Sequence, residues 1–110
     1  MIRIVAGVLR GRRLAVGPGV RPTTERAREA LFSILGESVR GARVLDACAG
    51  SGALGFEALS RGAREAVFVD SDRRVGQALR ANVDLVRLGD RARVVVREVA
   101  SFLVVERPAG

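Results

Sequence analysis

Histidine, lysine, tyrosine and tryptophan are absent from this sequence, and cysteine occurs once. Each absence removes some chemistry. Without His, Tyr or Lys, only a carboxylate is left to serve as a general base. The single cysteine, Cys48, cannot form a disulfide within the chain and reads as a small core residue. No metal site is expected. No apolar run approaches the roughly 20 residues that a membrane span needs. The opening Met1-Ile2-Arg3-Ile4 has no signal-peptide pattern, so a cytoplasmic location without a membrane partner is expected.

Acid is missing from one region in particular. The first 21 residues hold Arg3, Arg10, Arg12, Arg13 and Arg21 and no Asp or Glu, within a chain of net charge +7. An excess concentrated in this way suits a polyanion, because contacts to phosphate release counterions. At 110 residues and 48% apolar, the chain is at most one domain, with enough hydrophobic content for an ordered core.

What the sequence does contain is organised around Val44-Leu45-Asp46-Ala47-Cys48-Ala49-Gly50-Ser51-Gly52-Ala53-Leu54-Gly55. Val44 to Cys48 is a short apolar run with one acid in it and reads as a buried strand. Ala49 to Gly52 is small enough for the backbone to turn tightly beside a ligand. Leu54, Phe56, Ala58 and Leu59 continue as a helix. Strand, glycine turn and helix together give a Gly-x-Gly-x-x-Gly match its meaning. Glu65-Ala66-Val67-Phe68-Val69-Asp70 reads as a second strand ending in an acid, 18 residues after Gly52. A carboxylate near that spacing can accept from ribose hydroxyls. A nicotinamide dehydrogenase is disfavoured by Asp46, four residues before Gly50. The resulting Asp-x-x-x-Gly-x-Gly resembles the first motif of S-adenosylmethionine-dependent methyltransferases, in which the acid reaches the cofactor's charged amino-acid end.

Taken in order, Ile2 to Ala6 and Arg13 to Val16 are β-prone segments around Gly7 and Gly11, and predict a hairpin or a loose strand pair. Arg10, Arg12 and Arg13 gather on its turn side, where guanidinium forks could meet phosphate. Gly17-Pro18-Gly19 breaks the chain. A helix follows, capped by Thr23 or Thr24, with Glu25 in its first turn and Gly36 as its stop. Ala27, Ala30, Leu31, Ile34 and Leu35 share one helical face, which predicts the buried side. After Asp70, Asp72 caps a helix over Arg73 to Val86, with Val75, Leu79, Val83 and Val86 inward. Ala92 to Val96 predicts a third strand.

Ile4-Val5-Ala6-Gly7, Gly11-Arg12-Arg13-Leu14, Arg21-Pro22-Thr23-Thr24, Arg28-Glu29-Ala30-Leu31-Phe32, the Asp46 to Gly55 motif and Glu57-Ala58-Leu59-Ser60-Arg61-Gly62-Ala63 follow one another in the order of the RsmD family, which the sequence resembles over almost its whole length. The resemblance implies an enzyme that methylates the exocyclic N2 of a guanine in 16S rRNA. It implies S-adenosylmethionine as cofactor, and a small-subunit assembly intermediate as partner. The full-length enzyme is expected to be monomeric. The implied fold is α/β: a Rossmann-like methyltransferase domain, here with its first three sheet strands only, preceded by an N-terminal β-hairpin and helix. The expected division is 1–22 as an RNA-facing arm and 23–110 as the first half of the domain.

By the resemblance Asp46, Gly50, Ser51, Gly52 and Asp70 bind the cofactor. Glu98 stands where the family has an Asp that holds the adenine amino group, one methylene longer. Arg10, Arg12, Arg13 and Arg21 are the RNA-binding candidates. The family's Asp/Asn-Pro-Pro-Tyr/Phe motif, which grips the guanine, has no counterpart in these residues, so no catalytic residue is assigned. The 110 residues alone are expected to be inactive and, with Val44 to Cys48 left as a bare sheet edge, marginally stable and prone to associate. The alternative is a non-catalytic RNA-binding module or truncated relic with a vestigial cofactor loop.

Overall fold

A computed structural model describes residues 1–17, 19–47, 49–98 and 102–106. The reading of Cys48 as a core residue lies outside them. The chain begins with β1 (Ile2–Arg3) and β2 (Arg13–Leu14), an antiparallel pair with Ile2 opposite Leu14 and Arg3 opposite Arg13. Alternation sends Ile2 and Leu14 into the core, and leaves Arg3 and Arg13 together on the outer face.

Helix α1 (Glu25–Leu35) starts where a Thr-Thr-Glu sequence should start one: Thr24 Oγ1 accepts from Ala27 N at 3.1 Å. It ends at Gly36, whose φ of +51° suits glycine, and a 3-10 turn (Gly36–Val39) leads on. The expected inward face is only partly the observed one: Leu31 and Leu35 are half-buried, Leu35 against the core. Ala27, Ala30 and Ile34 are exposed, Ile34 by 83%, and the buried residues are Arg28 and Phe32. The helix is turned by an ion-pair and hydrogen-bond network that outweighs hydropathy. Arg28 donates to the carbonyls of Thr23 (2.6 Å) and Arg3 (2.5 Å), and its Nε lies 3.6 Å from Glu57. Phe32 carries the Arg61 guanidinium over its ring at 5.0 Å.

The main sheet is built from β3 (Arg43–Ala47), β4 (Glu65–Asp70), β5 (Ala92–Val96) and β6 (Phe102–Glu106), in the order β5-β4-β3-β6. β3, β4 and β5 are parallel, as the predicted βαβ units require; β6 joins β3 antiparallel, with Ala47 opposite Phe102 and Arg43 opposite Glu106. The expected fold class stands, with one strand more than the sequence suggested. The bare edge expected along β3 is filled by β6, so the association argued from that edge loses its basis.

Helix α2 (Ala53–Ser60) joins β3 to β4, and α3 (Arg73–Leu85) joins β4 to β5. Both pack on the same sheet face. Phe68 lies under Gly55 of α2, while Val94, its neighbour in register, and Val96 lie under Gly76 of α3. Phe56 and Phe68 pack ring to ring, 4.6 Å between centroids. The opposite face carries Leu45, Val67 and Val95, all half-buried, and Val104.

The hairpin lies across the far ends of α2 and α3 and shares their core through Ile2, Ile4 and Leu14. Glu57, fully buried, accepts from Val5 N (2.9 Å), Ala6 N (3.1 Å) and Arg61 Nε (2.9 Å). Ser60 Oγ accepts from Leu9 N and donates to the Ala6 carbonyl. Gly7, at φ +87°, is pressed against the Ser60 backbone, where a Cβ has no room. On α3, buried Asn82 exchanges two hydrogen bonds with the Ala15 backbone.

Candidate functional site

The carboxyl ends of β3 and β4 meet the glycine turn that begins α2. In an open α/β sheet this is where ligands bind, beside the point at which the strand order reverses. Here the reversal lies between β3 and β6.

The turn is held from both sides by carboxylates. Asp70 ends β4. Its Oδ2 accepts from Gly50 N at 3.0 Å and its Oδ1 from Asp72 N at 2.9 Å. Asp46, in β3, accepts on Oδ2 from Gly55 N at 3.0 Å. The Ser51 hydroxyl accepts from Ala53 N at 3.2 Å, near the start of α2. Asp46 and Asp70 are both buried. Burial pushes the Asp46 carboxyl up to about 7, opposed by the bond from Gly55 and reinforced by the nearby charge of Asp70.

The glycines divide by task. Gly50 and Gly52 take positive φ, +55° and +77°. At Gly52 a Cβ would stand 2.6 Å from Leu79 Cδ2 and 2.8 Å from Phe56 Cε2, and at Gly55 it would overlap the Phe68 ring. Gly52 and Gly55 therefore let α2 press against α3 and the sheet, whereas at Gly52 the sequence suggested room for a ligand.

Asp46, Gly50, Ser51, Gly52 and Asp70 come together as one constellation. Glu98 lies just past β5, exposed, and Arg97 N donates to the Asp70 carbonyl at 2.8 Å, tying that segment to the end of β4. Asp72 is a helix cap, accepting from Arg74 N at 2.8 Å, as its position predicts. The constellation can receive hydroxyl and amide donors. Each Asp70 oxygen accepts one backbone N–H and keeps further acceptor capacity, since a carboxylate has about four lone-pair sites. A ribose diol, with two hydroxyl donors, suits those acceptors. Asp46 is committed to the loop backbone instead. Among the described residues there is no cluster of His, Cys, Asp and Glu suited to a metal ion, and no helix long and apolar enough to cross a membrane.

The arginine candidates are all exposed but do not act as one cluster. Arg12 donates to the Leu85 carbonyl at the end of α3 (3.2 Å), while Arg13 lines a cleft between the hairpin and the start of α1. Arg10 sits in the hairpin connection and Arg21 before α1. Sequence reasoning missed Arg3, which pairs with Glu25 at 2.8 Å. It also passed over the buried Arg28–Glu57 pair; the Arg28 and Glu57 motifs flagged both segments, but not that they meet.

The family model described as conserved hypothetical protein 95 matches residues 2–108. Ribosomal RNA small subunit methyltransferase D of Escherichia coli K12 is 50% identical over 104 residues, which cover 93% of this chain and 52% of that protein. Its namesake in Haemophilus influenzae is 40% identical, covering 93% and 54%. The solved structure of Escherichia coli yhhF superposes with a TM-score of 0.81 at 50% identity, over 88% of this chain and 54% of that one. A hypothetical protein of Thermus thermophilus gives 0.78 at 43%, over 90% and 57%. The chain spans about half the length of the curated relatives it matches. With this match along nearly all its residues, the protein belongs to the RsmD family.

Proposed function

We propose that this chain forms the cofactor-binding part of an S-adenosylmethionine-dependent enzyme that methylates guanine N2 in the small-subunit rRNA, working in the cytoplasm on an assembly intermediate. The observation that carries the reading is the glycine turn clamped by Asp46 and Asp70 at the carboxyl ends of β3 and β4. The curated relatives bear the name of rRNA small-subunit methyltransferase, which supports the substrate class.

In this reading Asp70 receives the ribose hydroxyls on its remaining lone pairs. The backbone of Gly50, Ser51 and Gly52 would hold the cofactor's amino-acid portion. Asp46 fixes the loop through Gly55. Glu98 takes the adenine amino group. The cofactor, when bound, supplies a methyl group made electrophilic by its sulfonium. The chain's contribution is proximity: it fixes the donor so that an in-line displacement needs only a positioned acceptor nitrogen. The acceptor base is held by the family's Asp/Asn-Pro-Pro-Tyr/Phe motif, of which residues 1–110 contain no copy. No residue here is given a catalytic role. A base in folded RNA must be splayed out to reach such a site.

Isothermal calorimetry with S-adenosylhomocysteine tests the reading. Heat is expected from the unaltered chain. Asp70→Ala should weaken binding about tenfold or more, as the loss of charge-assisted hydrogen bonds worth about 1.5–3 kcal/mol implies. Asp72→Ala should leave affinity near its original value, because that side chain caps α3. Equal losses would remove Asp70 from the ribose. No heat at all would favour an RNA-binding module with a vestigial loop.

A further inference from the structure

Between the outer face of β1–β2 and the first turn of α1 lies an open cleft of about 670 Å³, away from the glycine turn. Arg3 and Arg13 stand on its hairpin side, directly opposite each other in register, with Thr23, Thr24 and Glu25 across from them. Like charges placed opposite on one sheet face repel. Only one of the two is neutralised: Arg3 pairs with Glu25 at 2.8 Å, while the Arg13 guanidinium has no hydrogen bond or ion pair among the described residues. The cleft is also preformed. Arg28, 2% exposed, donates to Thr23 O on one wall and Arg3 O on the other. These bonds fix the separation of the walls before any ligand arrives.

We propose that this cleft binds a backbone phosphate of single-stranded RNA, held by Arg13 and Arg3 with the Thr23 hydroxyl, and that Glu25 occupies Arg3 until the phosphate displaces it. The proposal rests on the rRNA reading above and specifies where the RNA strand is gripped. Arg3–Glu25 is suited to exchange. Both side chains are about half exposed, and an ion pair so open to water and salt contributes little, so giving it up costs little. A phosphodiester offers Arg13 and Arg3 a shared anion, which removes their mutual repulsion.

The test is fluorescence-anisotropy titration of the 110-residue chain with a labelled 12-nucleotide single-stranded RNA, at several salt concentrations. Arg13→Ala and Thr23→Val should each weaken binding, Arg13→Ala about five- to tenfold, and Arg13→Ala should lower the log–log salt slope by about 0.7 for one lost phosphate. Glu25→Gln should tighten binding about two- to fivefold, since it frees Arg3. Circular dichroism melts of the three variants show whether each is folded. If the unaltered chain binds while the cleft variants match it in affinity and slope, the cleft assignment falls and the rRNA reading stands. If the unaltered chain binds no RNA, both fall. Competition by millimolar inorganic phosphate as strong as that by the oligomer would also overturn it, by marking a free-anion site only.

Discussion

Replacing Glu57 tests whether a polar network, in place of an apolar stripe, seats the hairpin and α1. Glu57 is fully buried and takes hydrogen bonds from two backbone amides, Val5 and Ala6, and from Arg61. Its second neighbour, Arg28, is also buried, 3.6 Å away. Glu57→Ala leaves Arg28 without its counter-charge and two amides without acceptors. Breaking a buried pair from one side costs about 3–5 kcal/mol. Small domains have about 5–15 kcal/mol in total, so the loss is a large share of the stability. With a urea m-value of about 1.5 kcal/mol/M, the midpoint would fall by about 2–3 M. Glu57→Gln is the milder probe. It can still accept from Val5 N but sets an amide against Ala6 N, at about 1–3 kcal/mol. Urea titration followed by far-UV circular dichroism measures both. A cycle with Arg28→Met should give a coupling above about 1 kcal/mol. A loss below about 1 kcal/mol for Glu57→Ala would mean that water reaches the Val5 and Ala6 amides, and the account of α1's orientation would be wrong.

Three further outcomes are expected. The Asp46 carboxyl, raised to about 7 in the fold from an ordinary 3.8, binds a proton more readily folded than unfolded. Its contribution to stability is therefore complete below about pH 4 and lost as pH rises to about 7, on the order of a few kcal/mol. Asp46→Asn should flatten that stretch of a denaturation-midpoint profile, and an unchanged slope would refute the assignment. Gly55→Ala puts a methyl group into the Phe68 ring and should cost about 1–3 kcal/mol of overpacking in thermal melts, with no loss expected if α2 could simply lift. Asp72→Ala removes the α3 cap, and should cost about 1 kcal/mol in the same melts.

Much of this architecture can be read directly from residue order. β4 runs over Glu65–Asp70 as its short apolar run ending in an acid predicts, and α3 buries Val75, Leu79 and Val83 on the predicted stripe. Local pattern is sufficient there because the partner is simply the apolar sheet. α1 misled because one of its two buried residues is an arginine, placed by two carbonyls and a glutamate from other elements, and hydropathy cannot register a cation whose burial is satisfied by polar groups. β6 was missed because an antiparallel return onto β3 is a long-range pairing without a local signal. At the site, the residues were legible but their division of labour was not. Gly52 looked like an opening for a ligand, and the space of its missing side chain is occupied by Leu79 and Phe56.

The docking of the hairpin has a consequence in time. The backbone of residues 5–15 is held by Glu57, Ser60 and Asn82, partners 51 to 67 positions away in sequence. Contacts so remote slow folding, because a long loop must close before they return any energy. During synthesis at about 5–20 residues per second, the hairpin waits roughly 3–13 s for those partners to be made. The hairpin is thus made before the side chains that seat it. Through that interval its unopposed arginines and the side chains of Ile2, Ile4 and Leu14 are available to whatever polyanion or apolar surface lies nearby.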